Sequence, residues 1–219
     1  MNRLNIIASI LFILLLYGCN LNDHKYEDNL PFEKLSSDVT GITFSNTITP
    51  NLETSENLFD YDYFYNGSGV GIADINNDGL KDVLFCANQQ ENRLFLNKGN
   101  LKFEEITRTS NINPKNKKWS SGVTFADVNN DGWLDIYISQ GGPYNSESRK
   151  NLLLINNQNL TFSEEAEIYG LDDQGISTQS AFFDFDKDGD LDCLVMNENE
   201  YYGYDPISFF KKYEDKSIL

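Results

Sequence analysis

Histidine is almost missing from this chain. One occurs in 219 residues, His24, close to the start. Mechanisms built on histidine acid–base or metal chemistry have almost nothing to draw on. Basic residues are also scarce. There are 17 Lys and Arg against 34 Asp and Glu, a formal net charge of −17. Nucleic-acid binding needs a basic patch to attract phosphate, so the balance argues against it. Cysteines number three. Cys86 and Cys193 each fall in the apolar stretch that follows an Asp-rich segment, and they read as small buried hydrophobes. Equivalent positions on two repeats are normally too far apart to form a disulfide.

Long apolar runs are confined to the N-terminus. Arg3 gives a short positive region, and Leu4 to Tyr17 is almost wholly apolar. That run is short for a spanning helix, which takes about 20 residues. It reads as a targeting segment outside the fold. Leu16-Tyr17-Gly18-Cys19 is similar to a bacterial lipobox, in which the Cys becomes the lipidated first residue of the mature chain. On this reading residues 1–18 are a signal peptide and Cys19 carries the lipid. The protein is then exported and anchored to an outer membrane or cell surface. Residues 19–30 are a polar tether, and removing 1–18 takes away Arg3, leaving −18.

One phrase is plentiful instead. It reads Asp74-Ile-Asn76-Asn-Asp78-Gly79-Leu80-Lys-Asp82. It returns as Asp127-Val-Asn129-Asn-Asp131-Gly132-Trp133-Leu-Asp135 and as Asp184-Phe-Asp186-Lys-Asp188-Gly189-Asp190-Leu-Asp192. Side-chain oxygens stand at positions 1, 3, 5 and 9, and Gly at position 6 permits a sharp bend. Calcium takes six to eight hard oxygens in flexible geometry. The expected ligands are Asp74, Asn76, Asp78 and Asp82 with the Leu80 carbonyl, then Asp127, Asn129, Asp131 and Asp135 with the Trp133 carbonyl. In the third loop they are Asp184, Asp186, Asp188 and Asp192 with the Asp190 carbonyl. The expectation is about one Ca2+ per loop. An EF-hand needs Glu at position 12, where this chain has Phe85, Ile138 and Val195. A metal-free Asn/Asp-Gly turn would crowd carboxylates without a counter-charge, at a cost in repulsion and desolvation. The third loop has four carboxylates against three in the others, so it should bind tightest.

The phrase also works as a ruler. Asp74 and Asp127 lie 53 residues apart, and Asp127 and Asp184 lie 57 apart. Four short strand candidates surround the first loop: Gly69–Asp74, Asp82–Cys86, Asn92–Asn97 and Lys102–Ile106. The second set is Gly122–Asp127, Asp135–Ile138, Asn151–Asn156 and Thr161–Glu165. The excess length falls in Gln140 to Lys150. A third set begins with Ser180–Phe183 and Asp192–Met196 and stops matching after Asn197. Pro31 to Ile42 aligns with Lys102 to Ile112, as a fourth strand without three before it. Four-stranded units of roughly 50 residues suggest β-propeller blades.

The fold expected is therefore all-β, with four-stranded antiparallel blades in an incomplete ring: two whole blades plus parts. The expected divisions are 31–68 (orphan strand and an aromatic-rich insertion), 69–112 and 113–171 (blades with loops 1 and 2), 172–197 (partial blade with loop 3) and 198–219 (divergent tail). Closure needs four or more blades, so the chain is expected to be the N-terminal part of a longer protein. The aromatic run Phe59 to Tyr65 is either a contact surface or packing for the insertion against the first blade.

From about Phe32 to Asn197 the repeated Gly-Val-x-Ile/Phe-Ala-Asp strand, Asp-rich loop and Asn-x-Leu-Phe/Leu-x-Asn strand resemble FG-GAP/VCBS repeats, the calcium-binding propellers related to integrin α-subunits. The resemblance implies a surface or secreted protein, often a lipoprotein, that works in adhesion or glycan binding. The reading is a non-catalytic interaction module whose partner is an extracellular protein or glycan. The alternatives are part of a calcium-dependent polysaccharide lyase, and a truncated remnant without function.

Overall fold

The computed structural model describes residues 32–114 and 119–198. The chain divides into two units, Met1–Leu35 and Ser36–Leu219. In the first, the described residues 32–35 carry no regular structure. The tail from 199, the expected signal segment, Cys19 and the expected tether lie outside the described residues.

The second unit is all-β. One sheet has the order β1 (Val70–Ala73), β2 (Asp82–Phe85), β3 (Arg93–Asn97), β4 (Phe103–Glu105). A second repeats it as β5 (Ser120–Ala126), β6 (Asp135–Gln140), β7 (Leu152–Asn156), β8 (Phe162–Glu164). A third sheet pairs β9 (Ile176–Phe183) with β10 (Asp192–Glu198). All pairings are antiparallel. The nine-residue phrases form the β1–β2, β5–β6 and β9–β10 connections, and position 9 opens the second strand each time.

First strands lie side by side, with β5 between β1 and β9. Glycine makes that approach possible. A Cβ on Gly122 would lie 2.4 Å from the Thr178 carbonyl oxygen, and one on Gly69 would lie 3.0 Å from the Gly122 Cα. Hydroxyls stitch the strands together: Thr124 Oγ1 donates to the Ser180 carbonyl at 2.8 Å.

Apolar side chains fill the spaces between blades. Ala73, Ile75, Leu84, Cys86, Leu94 and Ile112 of the first pack against Val123, Ile136, Ile138, Leu152, Leu154 and Phe162 of the second. A further layer joins Tyr137, Leu153, Ile155 and Ala166 to Phe182 and Val195 of the third. Strand β6 is buried at every position because it has a blade on each face. The two cysteines behave as packing residues. Both are free; Cys86 is buried and Cys193 half-buried. Burial pushes both thiols up, that of Cys193 to about 11.

Loop length varies without disturbing the sheets. In the first blade Asn92 Oδ1 accepts the Ala87 N–H at 2.9 Å, and in the second Asn151 Oδ1 accepts the Gln140 N–H at 2.7 Å. The same clasp closes a short β2–β3 loop and a long β6–β7 loop. The longer one contains a 3₁₀ turn, Ser146–Arg149, capped by Asn145 Oδ1.

Two sequence expectations need correction. Phe32 to Lys34, aligned with β4, form no strand. Strand β4 exists through its pairing with β3, and three residues without such a partner gain nothing from extension. What does align is the element after it. A single helical turn follows β4, α2 (Thr107–Ser110), ending at Asn111 with φ 61°. Another follows β8, α3 (Ala166–Tyr169), ending at Gly170 with φ 68°. Their counterpart is α1 (Ser37–Thr40), ending at Gly41 with φ 81°.

The aromatic run also divides. Tyr61 and Phe64 are buried, while Phe59 and Tyr65 are exposed. The buried pair packs on Trp119, with ring centroids 5.6 and 5.4 Å away, and clusters with Ile176. Trp119 directly precedes the first strand of the second blade and Ile176 opens that of the third, so the insertion does not rest on the first blade alone.

Candidate metal centre

Backbone conformation brings the phrase residues together. Position 4 is left-handed in every copy: Asn77 at φ 57°, Asn130 at 56° and Lys187 at 65°. Position 6 follows as Gly79 at 86°, Gly132 at 85° and Gly189 at 98°. Two such bends in three residues turn the acidic side chains inward. Asn and Gly suit them, because a β-carbon disfavours this region except in short polar residues.

Loop N–H groups then face the carboxylates. Gly79 and Gly132 N–H both donate to position 1, Asp74 and Asp127, at 2.8 Å; Gly189 donates to Asp184 at 3.2 Å. Position 5 N–H donates to the side chain at position 3: Asp78 to Asn76 at 3.3 Å, Asp131 to Asn129 at 3.1 Å and Asp188 to Asp186 at 3.3 Å. Position 7 N–H, of Leu80, Trp133 and Asp190, donates to position 5 at 2.8, 2.9 and 3.2 Å. The position 7 carbonyls accept no hydrogen bond among the described residues.

Asp74, Asn76 and Asp127 are half-buried, and the remaining side chains at positions 1, 3 and 5 are exposed. In the third loop Asp184, Asp186 and Asp188 can each place one oxygen within 4.8 Å of the others. In the first two loops the amides of Asn76 and Asn129 reach Asp78 and Asp131 at 3.0 and 3.1 Å. Crowding shows in the third loop's acidity. Asp190 is raised, by its hydrogen bond to Asp188 and then by that residue's charge, while Asp188 is lowered, chiefly by the Asp190 N–H. The donor set fits a hard divalent cation: oxygens only, several carboxylates, and backbone carbonyls with lone pairs to spare. A cation there would relieve the crowding.

Position 9 has a different environment. Asp82 and Asp135 are buried. Asp82 Oδ2 accepts the Ile75 N–H at 3.0 Å and Oδ1 accepts the Asn97 N–H at 2.8 Å. Asp135 repeats this with Val128 at 3.0 Å and Asn156 at 2.8 Å. Asp192 holds the Phe185 N–H at 2.8 Å. Each carboxylate thus ties its loop to the sheet, and in the complete blades it also ties the third strand. Desolvation by burial is the main cause that raises Asp82 and Asp135, opposed by these N–H groups. A carboxylate oxygen has two lone pairs, so one N–H on each leaves room for a cation.

Sequence reasoning missed the residues that reach these loops from outside. Asn97 Nδ2 donates to the Lys81 carbonyl at 2.9 Å, and Asn156 Nδ2 donates to the Leu134 carbonyl at 3.1 Å. Both end a third strand, where Asn is a poor strand former. That misfit is the signal that could have marked them. Gln158 Nε2 also approaches Asp131 Oδ2, at 3.3 Å.

Residues 74–138 match the family model of the FG-GAP-like repeat. They run from the first Asp-rich loop through the second, the part of the chain built most regularly. The chain is also 29% identical over 156 residues to cartilage acidic protein 1 of Xenopus tropicalis, an alignment that covers 68% of this chain and 23% of that protein. The chain therefore spans less than a quarter of that relative's length. Among the described residues no helix is long and apolar enough to cross a membrane.

Proposed function

We propose that this chain is a calcium-binding interaction module at a cell surface, without catalytic activity. The observation that carries the reading is the threefold recurrence of one loop conformation, with the carboxylates of Asp184, Asp186 and Asp188 gathered within 4.8 Å of one another in the third copy. Calcium at each loop pins the turn between first and second strands, so metal binding and blade stability are linked. The ligands are those at positions 1, 3, 5 and 9 with the position 7 carbonyl. The FG-GAP-like match and the acidic relative support a surface role. Lipidation of Cys19 would supply the anchor, and the partner is an extracellular protein or glycan.

Calorimetric titration of the chelator-stripped protein tests the reading. Three calcium ions per chain are expected, two for Asp188→Ala, and chelation should lower the melting temperature. A flat titration with an unmoved melting temperature refutes it.

A further inference from the structure

Loops 1 and 2 are not independent of each other. Asn77, at the tip of loop 1, donates from Nδ2 to the Gly132 carbonyl of loop 2 at 3.0 Å. Gly132 is the residue whose left-handed bend forms loop 2, and its own N–H is held by Asp127. A second tie runs through buried Asn156. Its Nδ2 reaches the Ile75 carbonyl, in loop 1, at 2.8 Å and the Leu134 carbonyl, in loop 2, at 3.1 Å. Its N–H holds Asp135 at 2.8 Å, and its Oδ1 accepts the Gln158 N–H at 2.9 Å. One side chain therefore grips both loops while its backbone fixes the position 9 carboxylate.

Loops 2 and 3 differ. Asn130 has the same conformation as Asn77, yet no hydrogen bond among the described residues joins loop 2 to loop 3.

We propose that Asn77 and Asn156 are positioning residues that couple cation binding at loops 1 and 2, while loop 3 binds on its own. The inference rests on the calcium reading above. A cation at loop 1 fixes the turn that carries Asn77 and the Ile75 carbonyl. Fixing them holds Gly132 and Asn156 in the arrangement loop 2 needs, so loop 2 gives up less conformational freedom when it binds. By linkage the effect is reciprocal.

Loop 2 carries its own reporter. Trp133 at position 7 can sensitise Tb3+ emission, and loops 1 and 3 have Leu80 and Asp190 there. Tb3+ titrations on the full chain would compare Asp78→Asn, which weakens loop 1, with Asp188→Asn, which weakens loop 3. Coupling of ordinary size makes Asp78→Asn weaken Tb3+ at loop 2 by about fivefold or more, with Asp188→Asn leaving it unchanged. In an Asn77→Gly background, which keeps the left-handed bend accessible, the effect of Asp78→Asn should shrink. A residue with a merely structural role would not alter that difference. Equal effects of Asp78→Asn and Asp188→Asn, or none from either, overturn the coupling while loop 2 still binds. Absence of both Tb3+ emission and calcium heat in the unmodified protein overturns the calcium reading itself.

Discussion

Asp135→Asn isolates the structural role of position 9 from the metal binding proposed for these loops. Asp135 is buried and accepts N–H groups from Asn156 at 2.8 Å and Val128 at 3.0 Å. An Asn of the same shape can accept only one of them, because its NH2 faces the other donor. A buried unsatisfied donor costs about 1–3 kcal/mol, and the surviving bond falls from charge-assisted to neutral strength, about 1 kcal/mol more. Against this, the substitution removes a charge that burial disfavours. The net expectation is a loss of about 2 kcal/mol, or roughly 4–8 °C in melting temperature for a unit of this size. Asp131→Asn is the control. Asp131 is exposed, and its change should stay within about 0.5 kcal/mol. Urea unfolding of both variants in excess chelator supplies the comparison. If Asp135→Asn is no more damaging than Asp131→Asn, the idea that position 9 pins the blade without metal is wrong.

Two further outcomes are expected. Gly122→Ala should destabilise by about 1–3 kcal/mol by overpacking, because its Cβ would lie 2.4 Å from the Thr178 carbonyl oxygen, a backbone atom; full stability in denaturant would show that the first strands can separate freely. The metal-free protein should also respond to pH through Asp82 and Asp135. Burial raises both above their unfolded values, so the stability linked to their protonation is complete below about pH 4 and is lost as pH rises through their folded values, while the N–H bonds to the carboxylates remain. Chelator-treated unfolding curves across pH 4–7, compared with Asp82→Asn, should show that decline, and a contribution that grows with pH would contradict the sign.

Blade boundaries were legible because the strands alternate with loops rich in Gly, Asn and Asp, and because the phrase returns at nearly constant spacing. Eight strands of the two complete blades fall within two residues of their expected limits. The helical turns were not legible. Four residues are too few for a helical period to register, and their mark was the left-handed residue behind them, Asn111 or Gly170. The gathering of Asp184, Asp186 and Asp188 in the third loop could be read from residue type and spacing alone. The structural role of position 9 could not, since burial and the Asn97 and Asn156 N–H partners come from strands elsewhere in the blade. The aromatic run hid its division for a related reason: its neighbours Trp119 and Ile176 are far along the chain.

The tie from Asn156 back to Ile75 has a consequence in time. These two residues are 81 apart in the chain. During synthesis at about 5–20 residues per second, roughly 4–16 s separate their appearance. Until then the first loop lacks a partner for one carbonyl, and the first blade shows Leu84, Leu94 and Ile112 to whatever surrounds it, since their cover comes from Val123 onward. A nascent first blade is thus unfinished by design, and its completion waits on the ribosome. That interval is when a holding chaperone would find it open.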